Sequence, residues 1–472
     1  MIKPFAHQKV SVKHNDGSPI VFDCSDPGTG KTFVRIAGFA KRRAKGSGAM
    51  LVLAPRSLLR SVWVNDIRKF APQLTTSVAD AANRAEAFAQ DADVYITNVD
   101  AVKWLATQKP AFFKKFSELV VDESTAYKHH TSLRSKAAAK ISQYFKYRCC
   151  MTGTPNSNTI TDIWHQVQIL DAGKRLGFSF YKFRDAVCTP HQVGRSAQAI
   201  RWQDKDGSEE AVFGLLSDIV IRHKFEDCVD IPANHQYPIE YELTPRQMKA
   251  YLELQDTQML MLSSRVKGAP GTPNILAINA AAVATKLLQV ASGAVYDGMG
   301  GYQVIDTARY EMILDLVEQR KHSLVFFLWK HQRDALLKEA EKRGISFAVI
   351  DGNTSDRDRD EIIQGYQAGV YQTIFAHPKS AAHGLTLTKG TATIWASPTY
   401  DLEIFKQGSK RQHRLGQTQK TETIVLLAKD TIEQRVYDLM LGKDARMTNL
   451  LDLFGLAVPA VVARKKKVAE TA

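Results

Sequence analysis

The stretch Ser25-Asp26-Pro27-Gly28-Thr29-Gly30-Lys31-Thr32 follows directly on the apolar run Ile20-Val21-Phe22 and leads into helical periodicity from Gly30 to about Lys45. A glycine-bearing turn between a buried strand and a helix start constrains the fold strongly, because it belongs where a parallel strand feeds a crossover helix. The rest of the first third keeps that grammar. Apolar runs "AMLVLAP", "DVYIT" and "ELVVDE" alternate with amphipathic stretches, one of them running through Trp63 to Phe70. Strands apolar on both sides belong in a parallel sheet with helices on both faces. After about Thr307 the pattern returns in "SLVFFLW", "FAVI", "TIFA", "ATIWA" and "TIVLLA". The expected fold class is α/β, with two parallel-sheet lobes: residues 1–160 for the first and 301–457 for the second. Between them, 161–300 reads as a helical insertion and bridge, and 458–472 as a basic, solvated tail.

A bound triphosphate needs backbone N–H groups aimed at its oxygens, an ammonium against its β and γ charge, and a hydroxyl for Mg²⁺. Gly28, Thr29, Gly30, Lys31 and Thr32 supply that set at the P-loop spacing, ahead of a helix whose N-terminal end carries partial positive charge. Ser25 stands where the motif ordinarily begins with glycine. Downstream, "ELVVDES" is a buried strand that ends in two adjacent carboxylates. Asp122 is placed to hold Mg²⁺ together with Thr32, and Glu123 to orient or deprotonate an attacking water. ATP and Mg²⁺ are the expected substrate and cofactor.

The chain has 472 residues, and 63 Lys plus Arg against 49 Asp plus Glu leave a net charge of +14. A polyanionic partner follows, nucleic acid ahead of an acidic membrane surface. No apolar run approaches the roughly 18 residues of a membrane span, and "MIKPFAHQKV" has no apolar core of a secretion signal, so a cytosolic location is expected. The five cysteines, Cys24, Cys149, Cys150, Cys188 and Cys228, form no CxxC pair and read as structural thiols.

From residue 4 to about 440 the order of segments resembles the SWI/SNF-type branch of the superfamily II helicases. "PFAHQ" resembles the adenine-reading motif and implies Gln8 on the base; "LAPRSLLRSVWVNDIRKFAP" resembles the motif in which Pro55 and Ser57 form a backbone-contacting turn and Trp63 packs the next helix. "MTGTPNSNTITDIWHQVQIL" is similar to the coupling motif, carried by Thr152, Gly153 and Thr154. In the second lobe "DGNTS" and, above all, "QGSKRQHRLGQTQKTETIVLLAKDTIEQRV" resemble the family's signatures. The resemblance implies two RecA-like lobes, with Arg411 and Arg414 as arginine fingers reaching the γ-phosphate and Gln407 and Gln417 beside them. Arg222 and Lys224 occupy the expected arginine and lysine positions of the segment leaving the insertion. The sequence departs from the pattern at "DEST", where Ser124 and Thr125 replace a small residue and histidine, and at "KSAAHGLTL", which keeps Gly384 as a nucleotide-site glycine.

The implied output is translocation on double-stranded or branched DNA, read through its backbone and so independent of sequence. Expected grips are Arg56 and Ser57, Thr97 and Asn98, and Lys379 and Ser380. Duplex remodelling, fork or branch reversal, annealing and protein displacement all follow from such a motor. A compact motor of this kind suits a bacterial or bacteriophage genome. Two rival readings stay open: an RNA-dependent ATPase of the DEAD-box type, against which "HRLGQ" and "DTIEQ" argue, and a nucleic-acid-binding scaffold with a decayed ATP site, against which Lys31, Asp122, Glu123 and both arginines argue.

Overall fold

Short runs of branched and aromatic apolar residues make the strands, and they lie in two separate parallel sheets. In the first sheet β1 (Ile20–Asp23), β2 (Ala49–Ala54), β3 (Thr76–Ala79), β4 (Val94–Asn98), β5 (Phe116–Asp122) and β6 (Tyr147–Met151) follow one another along the chain. A hairpin of β7 (Cys188–Gln192) and β8 (Ile200–Asp204) comes next, and then β9 (Val220–Ile221) returns to the sheet. The spatial order is β3-β4-β2-β5-β6-β1-β9, every pairing parallel. The structure, a computed structural model, describes residues 4–156, 159–192, 200–228, 231–268, 273–297, 299–381, 385–414 and 416–441.

Alternation along β2 and β5 shows why both faces are covered. Leu51, Leu53, Leu119 and Val121 enter one apolar core, and Met50, Val52 and Val120 enter the other. The second sheet has the same design. β10 (Asn234–Tyr241), the small antiparallel pair β11 (Ala294–Tyr296) and β12 (Tyr302–Val304), then β13 (Ser323–Phe326), β14 (Phe347–Ile350), β15 (Thr373–Ala376), β16 (Ala392–Trp395) and β17 (Thr421–Ala428) follow in the chain. The sheet order is β10-β17-β16-β13-β15-β14, again parallel throughout.

The expected bridge over 161–300 is divided differently. Helix Asp162–Asp171 and the segment through Ile219 bury Ile163, Val167, Leu170, Phe183, Val212 and Leu216 in the core of lobe one, and β9 joins its sheet. β10 instead pairs with β17, and Tyr251, Val283, Leu287 and Leu288 pack with Ile432 and Val436 of lobe two. Each amphipathic face buries against the nearest sheet, so the crossing between lobes shrinks to the residues just before β10. The expected tail, 458–472, lies outside the described residues.

Candidate active site

Three motifs leave one edge of the first sheet side by side. Asp23, Met151 and Asp122 end β1, β6 and β5, and the register pairs Asp23 with Met151 and Met151 with Asp122. Parallel strands place all their C-terminal ends on one edge, where open α/β sheets bind ligands. The turn Asp26–Gly30 follows β1, and Lys31–Arg43 is the helix after it. Gly30 has φ +84°, and a Cβ there would lie 2.3 Å from Nε2 of Gln8, so only glycine fits. The amide hydrogens of the helix's first turn have no partner within the helix and point out of its N-terminus.

Lys31 folds back over this turn, its ammonium donating to the carbonyls of Ser25 at 2.5 Å and Asp26 at 3.2 Å. Gln8 is buried, donating to Thr29 O at 3.2 Å and accepting the amide hydrogen of Phe5 at 3.1 Å. It thus braces the loop as well as lining the cavity beside it. The Thr29 side chain turns inward instead, its hydroxyl donating to Asp26 O. Gly384 lies outside the described residues.

Behind the loop, Asp122 is buried and Glu123 beside it is half-buried. Burial raises the proton affinity of both; at Asp122 the Glu123 charge adds to it, while the Trp63 hydrogen bond and the Lys31 ammonium oppose it. The Trp63 indole N–H donates to Asp122 Oδ2 at 2.9 Å, a contact that the packing role read from the sequence does not include. Glu123 sits at φ 52° with its Oε2 buried and unpartnered, backbone strain and an unpaired oxygen on one residue. Adjacent carboxylates with one buried, unsatisfied oxygen fit a divalent cation, for which Asp122 and Thr32 are the expected donors.

Opposite them stand two guanidiniums from lobe two. Arg411 is buried, its Nε donating to Gln407 O at 2.6 Å, and Arg414 donates to Leu385 O at 2.7 Å. Burial, with Arg414 beside it, pushes Arg411 well below the usual arginine range; Glu123 offsets part of this. A buried cation beside a half-buried one, with so little counter-charge, makes a site for an anion. A single cavity of about 350 Å³ is lined by Gln8, Gly28, Gly30, Lys31, Thr32, Asp122 and Glu123 from one lobe and Thr386, Arg411 and Arg414 from the other. Asp66, also in its wall, is raised to about 6, mainly by burial.

The expected nucleic-acid grips separate. Arg56, Ser57 and Asn98 line a second cleft, of about 240 Å³, which Arg60 shares and which faces Asp356, Arg359 and Asp360 of lobe two. Lys379 is exposed and Ser380 half-buried, the latter's carbonyl accepting from Arg359. Thr97 departs from expectation: it is fully buried and its hydroxyl donates to Ala79 O, because its side chain faces the core of β4. Asn98 doubles as the cap of the turn that follows, accepting from Ala101 N. At "DEST", the Ser124 hydroxyl donates to buried Gln166, whose amide donates to Pro155 O, so the departure builds a link to the coupling segment. Gln166 lay within the quoted motif, but no spacing rule marked it. Gln417 donates to the carbonyls of Thr388, Gly390 and Gln412, and Gln407 to Glu403, so both brace lobe two.

The family model for the SNF2-related domain matches residues 11–285, and that for the helicase conserved C-terminal domain matches 308–416. Protein p41 of Acyrthosiphon pisum secondary endosymbiont phage 1 is 28% identical over 446 residues, covering 90% of this chain and 93% of that protein. An uncharacterized ATP-dependent helicase of Mycoplasma pneumoniae is 23% identical over 409 residues, 85% of this chain and 37% of the relative, so the chain spans little more than a third of its length. Among solved structures, the Sulfolobus solfataricus SWI2/SNF2 ATPase core in complex with dsDNA covers 96% of this chain and 94% of its own at 20% identity and a TM-score of 0.44. With the first model spanning more than half of the sequence, the chain belongs to the SNF2-related family and is an ATP-using enzyme of the ATPase/helicase type.

Proposed function

We propose that the chain is an ATP-dependent DNA translocase that hydrolyses ATP at the seam of its two lobes. The observation that carries this reading is the shared cavity, with Lys31, Asp122 and Glu123 on one wall and Arg411 and Arg414 on the other. Phosphoryl transfer to water needs little covalent help, so catalysis is positioning and charge neutralisation. Lys31 and the helix N-terminus hold the β and γ oxygens, Glu123 orients the water, and the two arginines meet the charge that develops on the γ-phosphoryl group. Thr32 and Asp122 would hold Mg²⁺, which would supply further charge neutralisation.

Neither lobe contains a complete site, so a closed seam favours hydrolysis and product release favours its opening. If each lobe also holds a phosphate backbone, that opening and closing advances one grip past the other. The cleft with Arg56, Ser57 and Asn98 spans the same two lobes, and the +14 net charge supports a polyanionic track. Duplex DNA as the track, and remodelling or annealing as the output, rest on the family resemblance. The test is ATP turnover by purified protein with no nucleic acid, single-stranded DNA, duplex DNA, branched DNA or RNA. Duplex or branched DNA is expected to stimulate most; stimulation by RNA alone overturns the DNA assignment.

A further inference from the structure

The two lobes also touch behind the cavity, through residues that the ATP site does not use. Asp26, inside the phosphate loop, lies with Oδ2 3.4 Å from the Lys410 ammonium of lobe two. The same carboxylate oxygen accepts the Phe225 amide hydrogen at 3.1 Å. The Asp26 backbone is tied to the loop and to the crossing segment alike: its N–H donates to His223 O at 3.0 Å, and its carbonyl accepts from Lys31 and Thr29. Lys410 directly precedes Arg411 in the chain, at the end of helix Leu402–Ser409.

Phe225 fills the space beneath this pair. Its ring is buried, so close to the loop that a Cβ on Gly28 would lie 2.9 Å from it. On its other side it packs edge-on against His413 at 5.6 Å and lies 5.6 Å from the Lys410 ammonium. Phe225 follows β9 of the first sheet and precedes β10 of the second, so it belongs to the strand of chain that crosses between lobes. Phosphate loop, crossing segment and arginine segment thus meet at one point.

We infer that Asp26 and Lys410 form a clasp over Phe225, a positioning pair that holds the arginine segment in register with the phosphate loop. The inference rests on the ATP site proposed above. The pair is observed in the same arrangement that puts Arg411, Arg414 and Lys31 around one cavity, so it favours the assembled site. Its charges also have a second consequence. A carboxylate inside a phosphate loop repels a triphosphate, and Lys410 cancels that repulsion. The side chains keep 26% and 33% of their surfaces open, so the pair contributes little to global stability and acts on geometry.

The test is steady-state ATP hydrolysis at saturating duplex DNA, with melting temperature as a check on folding. Lys410→Met is expected to lower kcat about three- to tenfold and to raise KM for ATP about threefold, because it leaves Asp26 uncompensated. Asp26→Asn keeps the oxygen that Phe225 uses; it is expected to lower kcat by a similar factor without raising KM. In the double variant the two kcat losses do not multiply and KM returns to the wild-type value, while Lys410→Arg stays within about twofold of wild type. Wild-type kinetics in Lys410→Met, or independent, multiplying losses in the double variant, overturn the clasp. Turnover that persists in Lys31→Ala overturns the ATP site itself and the clasp with it.

Discussion

Trp63 shows what a single residue does here that its motif does not reveal. The resemblance gives it a packing role, and it is indeed buried, but its indole also donates to Asp122. Hydrogen bonds to charged groups contribute about 1.5–3 kcal/mol, and losing the donor leaves a buried carboxylate oxygen unpaired. Trp63→Phe keeps most of the ring packing and is expected to lower ATP turnover about tenfold with a small change in melting temperature; an unchanged turnover removes the positioning role. That Lys31, Thr32, Asp122 and Glu123 meet at one cavity was legible because each follows its motif's local spacing. Asp26 with Lys410 and Ser124 with Gln166 were not, since their partners meet only through the fold. The inward side chain of Thr97 is hidden for a related reason: in a buried strand, odd and even positions face opposite sides, and nothing in "TNVD" says which side Thr97 takes. Within lobe two, His331 is buried between Ser292 and Tyr296, and burial lowers it to about 4. The unfolded chain takes up that proton near 6.5, so this contribution to stability is full above pH 6.5 and is lost as pH falls toward 4. His331→Gln is expected to flatten that part of the melting-temperature profile; an identical slope in wild type and variant contradicts the assignment.

At the scale of elements, the strands most readable in sequence are the central ones, such as β2, β13 and β16, buried along their whole length, and β5, buried at every position but Ser117. β6 is hard to read in sequence because Tyr147-Arg148-Cys149-Cys150-Met151 carries no β-branched residue, although it lies between β1 and β5. β10 is equally hard because it is an edge strand, half-exposed and holding Pro238, which a central strand excludes. The β7–β8 hairpin lay inside a region read as helical. The segment after β6 comes close to the turn after β1: a Cβ on Gly153 would lie 2.8 Å from Cδ of Pro27. Gly153→Ala therefore forces the two segments apart, with an expected cost of about 1–3 kcal/mol and reduced ATP affinity. Calorimetric unfolding and ATP titration check this; a variant with unchanged stability and affinity contradicts the close approach.

For the whole molecule, the two-lobe plan was plain from the repeated strand grammar, while the division of the middle region depended on which sheet each amphipathic face could reach. The consequence is functional. Lobe one runs to β9 and lobe two begins at β10, so one short crossing that contains Phe225 joins them beside the shared cavity. Backbone binding by Arg56 and its neighbours should release counterions, so DNA affinity is expected to fall steeply between about 50 and 200 mM salt and to ignore base sequence. Binding isotherms on unrelated duplexes across that range check it, and affinity insensitive to salt contradicts it. The account stands most directly on a site completed by both lobes, and ATP hydrolysis measured beside ATP binding in Arg411→Ala and Arg414→Ala tests that. Each variant is expected to keep ATP binding within several-fold and to lose about 10³-fold or more in turnover. Wild-type turnover in both variants would contradict it.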